Sequence, residues 1–136
     1  MIKVLPVFRT LLLSKSAISS EVGTRCYVES IPYETCDSWA TRHDVEKTIL
    51  INGDGDVDTN GPVATADIEV LCFAPSGSEA ETLAGIVTDA IDDLSHETHD
   101  SIKVAHVDQI TTPEIDRDPD TEWQFCLVTF SVMMIE

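Results

Sequence analysis

The run Ile68-Glu69-Val70-Leu71-Cys72-Phe73-Ala74-Pro75-Ser76-Gly77-Ser78-Glu79-Ala80-Glu81-Thr82-Leu83-Ala84 decides the fold. Its first half belongs to a strand expected over Ala64 to Phe73, with Ala66, Ile68, Val70 and Cys72 on one face and Asp67 and Glu69 opposite. Ala74-Pro75-Ser76-Gly77-Ser78 is a turn, after which the apolar period becomes helical. Ser76 with Glu79, and Ser78 with Glu81, both have capping-box spacing. Ala80, Leu83, Ala84, Val87, Ile91 and Leu94 make one continuous apolar face, with Asp89, Asp92 and Asp93 outside it. Asp92 and Asp93 sit near the helix C-terminus, where the macrodipole disfavours negative charge.

Upstream, Val4, Val7, Phe8, Leu11 and Leu12 follow the spacing of one helical face, and Pro6 fits a first turn, where its missing N–H costs nothing. The Ser-rich piece from Ser14 to Ser20 is expected to fray that helix. Gly23 marks a turn into a strand at Arg25-Cys26-Tyr27-Val28, which Ile31-Pro32 ends. Tyr33 to Lys47 reads as a loop with at most a short helical turn. Thr48-Ile49-Leu50-Ile51 is β-prone and closed by the turn signal Asn52-Gly53. Downstream, Ile102 to Ile110 reads as a strand, Thr111 to Thr121 as a long loop and Trp123 to Ile135 as the last strand. Cys126, Val128, Phe130, Val132 and Met134 form the core face of that strand. The expected architecture is α+β: one domain over residues 1–136, with a mainly antiparallel (mixed) sheet, two main helices packed on one face and no second core.

A formal net charge of -17, from 25 acidic and 8 basic residues, argues against nucleic-acid binding by counterion release and against an anionic membrane surface. No apolar run is long enough to span a bilayer, and the first residues lack a secretory pattern, so synthesis in the cytoplasm is expected. Cys26, Cys36, Cys72 and Cys126 form no C-x-x-C pair. Cys72 and Cys126 are expected as buried reduced thiols, and a Cys26–Cys36 disulfide is disfavoured in the cytoplasm.

Asp54, Asp56, Asp58 and Asn60 alternate like the first half of an EF-hand loop, but Thr59 and Thr65 stand where that loop needs Gly and a bidentate Glu. They are a weak Ca²⁺ candidate, and a solvated hairpin loop is the favoured reading. His96 and His99 have H-x-x-H spacing beside Glu97 and Asp100, but the segment reads as a polar helix-to-strand turn lacking further ligands. His43 and His106 are isolated, and His106 reads as a packed or edge residue. No nucleophile elbow, P-loop or dinucleotide fingerprint occurs, so no enzyme activity, cofactor or metal is expected. Trp39 and Trp123 read as packing or interface anchors, and Arg9, Arg25 and Arg42 as scarce cations able to pair with carboxylates.

Three stretches together resemble the tail terminator (tail completion) proteins of long-tailed bacteriophages. They are the helix Val7-Phe8-Arg9-Thr10-Leu11-Leu12-Leu13 followed by Val22-Gly23-Thr24-Arg25-Cys26-Tyr27 and Ile31-Pro32, the strand-to-helix run quoted above, and the closing hairpin, ending in Gln124 to Val132. The departure is Tyr33 to Gly61, longer and more acidic than the compact strand pair the family usually has there. The resemblance implies a structural virion protein, a homo-oligomeric ring of six subunits that caps the tail tube, ends its polymerisation and joins the tail to the head. It implies as partners further copies of the chain, the tail tube protein and a head–tail connector or neck protein, with DNA passing through the lumen without specific binding and no membrane. It also implies a place in the tail or neck of the virion, after assembly in the host cytoplasm. On this reading the acidic loops containing Asp54, Asp56 and Asp58, and Asp116, Asp118 and Asp120, line the lumen or contact neighbouring rings. Arg25, Trp39 and Trp123 are the interface candidates. A head-closure or other neck protein is the nearest alternative, and a small Ca²⁺-responsive binding module the alternative from another class.

Overall fold

The capped helix and the strand before it form the spine of the computed structural model, which describes residues 2–53 and 57–136. Strands β1 (Cys26–Val28), β2 (Thr48–Gly53), β3 (Asp58–Asn60), β4 (Val63–Ala74), β5 (Ser95–His99), β6 (Ile102–Gln109), β7 (Glu114–Arg117) and β8 (Gln124–Ile135) make one sheet. Its order is β1-β2-β4-β8-β6-β5, with β3 also on β4 and β7 also on β8. Among the described residues only β1 and β2 run parallel; the other pairings are antiparallel. The long pair β4–β8 is in register from Val63 opposite Ile135 to Ala74 opposite Gln124.

Helices α1 (Val4–Ser14), α2 (Ser16–Val22) and α4 (Gly77–Ile91) share a core with one sheet face, and the short α3 (Tyr33–Cys36) lies in the segment after β1. Val4, Val7, Phe8, Leu11 and Leu12 of α1 are buried, as are Ala80, Leu83, Ala84, Val87 and Ile91 of α4. They meet Ile49, Ile51, Ile68, Val70, Cys72 and the even-numbered face of β8. Phe8 and Phe130 bring their ring centroids to 6.3 Å across this layer. The fold class is therefore the expected one.

Several elements depart from expectation. The Ser-rich stretch does not simply fray. Lys15 turns extended (ψ 114°), and the chain re-enters a helix that buries Ile18 and Val22. Gly23, at φ 62° and ψ -117°, then ends α2 in a conformation that side chains disfavour. Asn52-Gly53 is no turn, because both residues stay in β2, paired with Glu69 and Ile68. Two segments expected as turn or loop are strands, β5 and β7. Both are edge strands held by backbone pairing, so they carry no apolar alternation.

The sheet also has a second apolar cluster on its other face. Trp39, Val45 and Phe73 are buried there, with Ile31, Cys36, Leu50, Leu71, Trp123 and Phe125 packed around them. Leu50 alternates with Ile49 and Ile51, and Leu71 with Val70 and Cys72, so both faces of this end of the sheet are covered. The cover is the segment between β1 and β2, which holds α3 and a 3₁₀ turn at Arg42–Asp44. The expectation of no second core is corrected: a loop rich in polar residues still presents enough apolar side chains to roof half a sheet face.

Candidate functional site

Among the described residues nothing covers the other half of that outer face, and its chemistry is acidic. Asp67 of β4 lies opposite Ser131 of β8, which lies opposite Asp108 of β6; Thr65, Met133 and His106 form the next row. Residues directly opposite one another project to the same side. Asp67, Asp108 and Met133 are exposed there. Beside it, Asn52, Asp67, Glu69, Glu29, Val4 and Leu5 border a cleft of about 520 Å³.

His106 reaches this face because of a β-bulge. Val104 pairs with Met134 and His106 with Met133, leaving Ala105 as the extra residue. Simple alternation from buried Val104 would aim His106 into the core. The bulge turns it outward and returns Val107 to the core. His106 Nε2 lies 2.8 Å from Asp108 Oδ2. Asp93, at φ 59° just after α4, brings its carboxylate to the same place, so that one ligand atom each from Asp93, His106 and Asp108 lie within 4.8 Å of one another. Two hydrogen bonds pin the turn that carries Asp93 to β6: Val107 N–H donates to Leu94 O (3.0 Å), and Gln109 N–H to Asp92 Oδ1 (2.9 Å). The second bond also accounts for an acidic residue at a helix C-terminus.

The H-x-x-H pair has a different task. Glu97 accepts from Lys15 Nζ at 2.6 Å and contacts His99 Nε2 at 3.1 Å, and Asp100 accepts from Thr10 Oγ1 at 2.8 Å. These contacts fasten β5 and its turn to α1 and the α1–α2 junction. The bond from Lys15, with a smaller part from His99, holds the Glu97 carboxyl below its usual pKa. His43 stands exposed in the 3₁₀ turn.

The interface candidates divide. Trp39 is 3% exposed and packs edge-on against Trp123, with centroids at 5.1 Å, so the pair anchors the second cluster within the chain. Arg25 Nε donates to Lys47 O at 2.9 Å, and its Nη1 lies 3.7 Å from Glu46. Arg9 donates to Cys26 O, tying α1 to β1, while Arg42 is exposed. Asp54 and Asp56 lie outside the described residues; Asp58 and Asn60 pair with Thr65 and Val63 in the β3–β4 hairpin. Asp118 accepts from the N–H groups of Asp120 (2.9 Å) and Thr121 (3.0 Å), which lowers its pKa, the Thr121 bond contributing most. Asp116 Oδ1 accepts from Arg117 N–H at 2.7 Å, and Asp120 is exposed.

β3 sits beside the Val63 end of the long pair and the turn after β7 beside its Gln124 end. At about 3.4 Å per residue, β3 and the turn after β7 thus flank opposite ends of a strand pair roughly 40 Å long. Sequence reasoning missed the Asp93–His106–Asp108 convergence. The only signals were the i, i+2 spacing of His106 and Asp108 and the acidic end of α4, and the bulge that makes them meet has no sequence mark of its own.

No protein-family model matches the chain, and no curated protein matches it. Among solved structures it is similar to a chain described as "Virion of native gene transfer agent (GTA) particle", with a TM-score of 0.68 over 100% of both chains at 14% identity. At that identity the likeness is one of fold.

Proposed function

We propose that this chain is a structural subunit of a phage-like virion, a tail terminator that forms a homo-oligomeric ring, caps the tail tube, ends its polymerisation and joins the tail to the head or neck. The observation that carries the reading is the end-to-end likeness of fold to a chain from a gene transfer agent virion, with nothing left over in either chain. The resemblance in the order of parts, drawn from sequence, leads to the same setting. The layout of the surface agrees with it. Asp58 of β3 and the acidic turn after β7, at the two ends of a long strand pair, suit a ring whose two rims meet different neighbours. An acidic, uncovered sheet face suits a channel wall that repels passing DNA. Among the described residues β5, at the outside of the sheet, pairs only with β6, leaving a row of backbone groups able to extend a sheet between subunits. The buried thiols fit the same non-enzymatic role. Burial pushes Cys26 up to about 12 and raises Cys72 and Cys126, which disfavours the thiolate a nucleophile needs.

Light scattering with negative-stain imaging of the same peak tests this. A closed ring with a central hole is the expected result, six subunits on the family resemblance. A monomer that also fails to stop the growth of tail tubes overturns the terminator reading. A ring that binds the head-side connector and leaves tube growth unchanged identifies a neck protein instead.

A further inference from the structure

We propose that Asp93, His106 and Asp108 form a binding site for a first-row divalent transition-metal cation, with Zn²⁺ the fitting probe. The three residues come from two separate elements, the turn after α4 and strand β6, and converge to within 4.8 Å. The side chains stand on a pinned frame. The β-bulge turns His106 away from the core, and the turn holding Asp93 is tied to β6 on both sides of the site through Val107 and Gln109. Two carboxylates held this close repel each other, and a cation between them turns that repulsion into attraction. The imidazole selects among cations. Ca²⁺ and Mg²⁺ prefer oxygen donors throughout, whereas one nitrogen and two carboxylate oxygens suit Zn²⁺ and its first-row neighbours. His106 is half-buried and both carboxylates are exposed, so the remaining coordination positions open to water or to a donor from another subunit. The inference stands on the geometry of this one chain and holds whether or not the chain forms a ring.

Calorimetric titration of the metal-free full chain with Zn²⁺ is the test, with Ca²⁺ and Mg²⁺ titrated in parallel. One Zn²⁺ per chain is expected, weakened at least tenfold by His106→Gln and by Asp93→Asn. His43→Gln, His96→Gln and Cys36→Ser should leave it unchanged, since they remove accessible histidine and cysteine ligands outside the site. Melting of each variant without metal should stay close to the parent, because Asp93 and Asp108 are exposed and His106 is half-buried on the outer face; a Zn²⁺-dependent rise in Tm should vanish in His106→Gln. Absence of binding by the parent chain overturns the proposal. So does a Zn²⁺ affinity that survives His106→Gln, or equal affinity for Ca²⁺, which would reveal a general acidic surface. Failure of ring formation with intact Zn²⁺ binding would count against the terminator reading alone.

Discussion

At the residue scale, the four cysteines separate by environment. Cys26, Cys72 and Cys126 occupy one row across the sheet, through Ile49, and all three are buried on the helix side. Burial raises each thiol, and for Cys26 the nearby Arg9 charge offsets only part of the rise. Cys36 is half-buried outside that core. At pH 8 an aromatic disulfide reagent should modify Cys36 promptly and the other three only on denaturation; prompt modification of more than one thiol would show that the core opens readily. The Lys15–Glu97 bond makes a second residue-scale prediction. The folded-state pKa of Glu97 is depressed, so its contribution to stability is present above the unfolded-state value of about 4.3 and is lost as pH falls through the folded value. Glu97→Gln should therefore lower stability at neutral pH and converge with the parent in acid. Both side chains are partly exposed (23% and 35%), so the neutral-pH cost should stay under about 1 kcal/mol in denaturant titrations. The buried positions of the long elements were legible in the sequence, because apolar period alone assigns Val4, Phe8, Leu83, Ile91 and Phe130 to one core, whereas Ile18, Val22 and Val45 carry no such period. The convergent polar residues were not, since a one-residue bulge decides where His106 points.

At the element scale, legibility followed burial. The 12-residue strands β4 and β8 and the 15-residue α4 each bury one face and announce themselves by period. β5 and β7 bury almost nothing, and their strand character comes from backbone pairing with β6 and β8 rather than from an apolar face. The break at Lys15 is a tertiary effect as well: α2 changes direction to place Ile18 and Val22 on the core while Lys15 reaches Glu97. The start of α4 is the best-specified joint. Ser76 Oγ accepts from Glu79 N–H at 3.2 Å and contacts the Glu79 carboxylate at 3.1 Å. Ser76→Ala should cost about 1 kcal/mol in equilibrium unfolding. Gly77 beside it allows close approach, since an added Cβ would lie 3.0 Å from Ile115 Cγ2 of β7. Gly77→Ala should displace Ile115 and loosen β7, read as faster amide exchange along Glu114–Arg117 with the core of α4 unchanged. Unaltered exchange there would mean that Ile115, 46% exposed, moves aside at no cost.

At the scale of the whole molecule, the placement of charge matters more than its sum. Asp116 in β7 and Asp120 in the turn after it lie at the Gln124 end of the sheet, while β3 flanks the Val63 end. Asp118 is unsuited to a test of charge, because its carboxylate organises the turn through Asp120 and Thr121. Among the described residues the Asp120 carboxylate holds no hydrogen bond, and the Asp116 carboxylate accepts only from Arg117 N–H. Asp116→Lys with Asp120→Lys should therefore leave the monomer folded, with Tm changed little, as expected for exposed side chains. If this end of the sheet meets a neighbouring ring, the double reversal should block docking to that neighbour and leave the ring itself intact. If it lines the channel, the ring should still form and dock, but DNA should be retained at low salt and released as ionic strength rises, because the new cations would hold phosphate electrostatically. The two outcomes separate by pull-down of the neighbour against salt-dependent DNA retention. Normal docking, DNA delivery and infectivity together would make this acidic end a passive, solubilising surface.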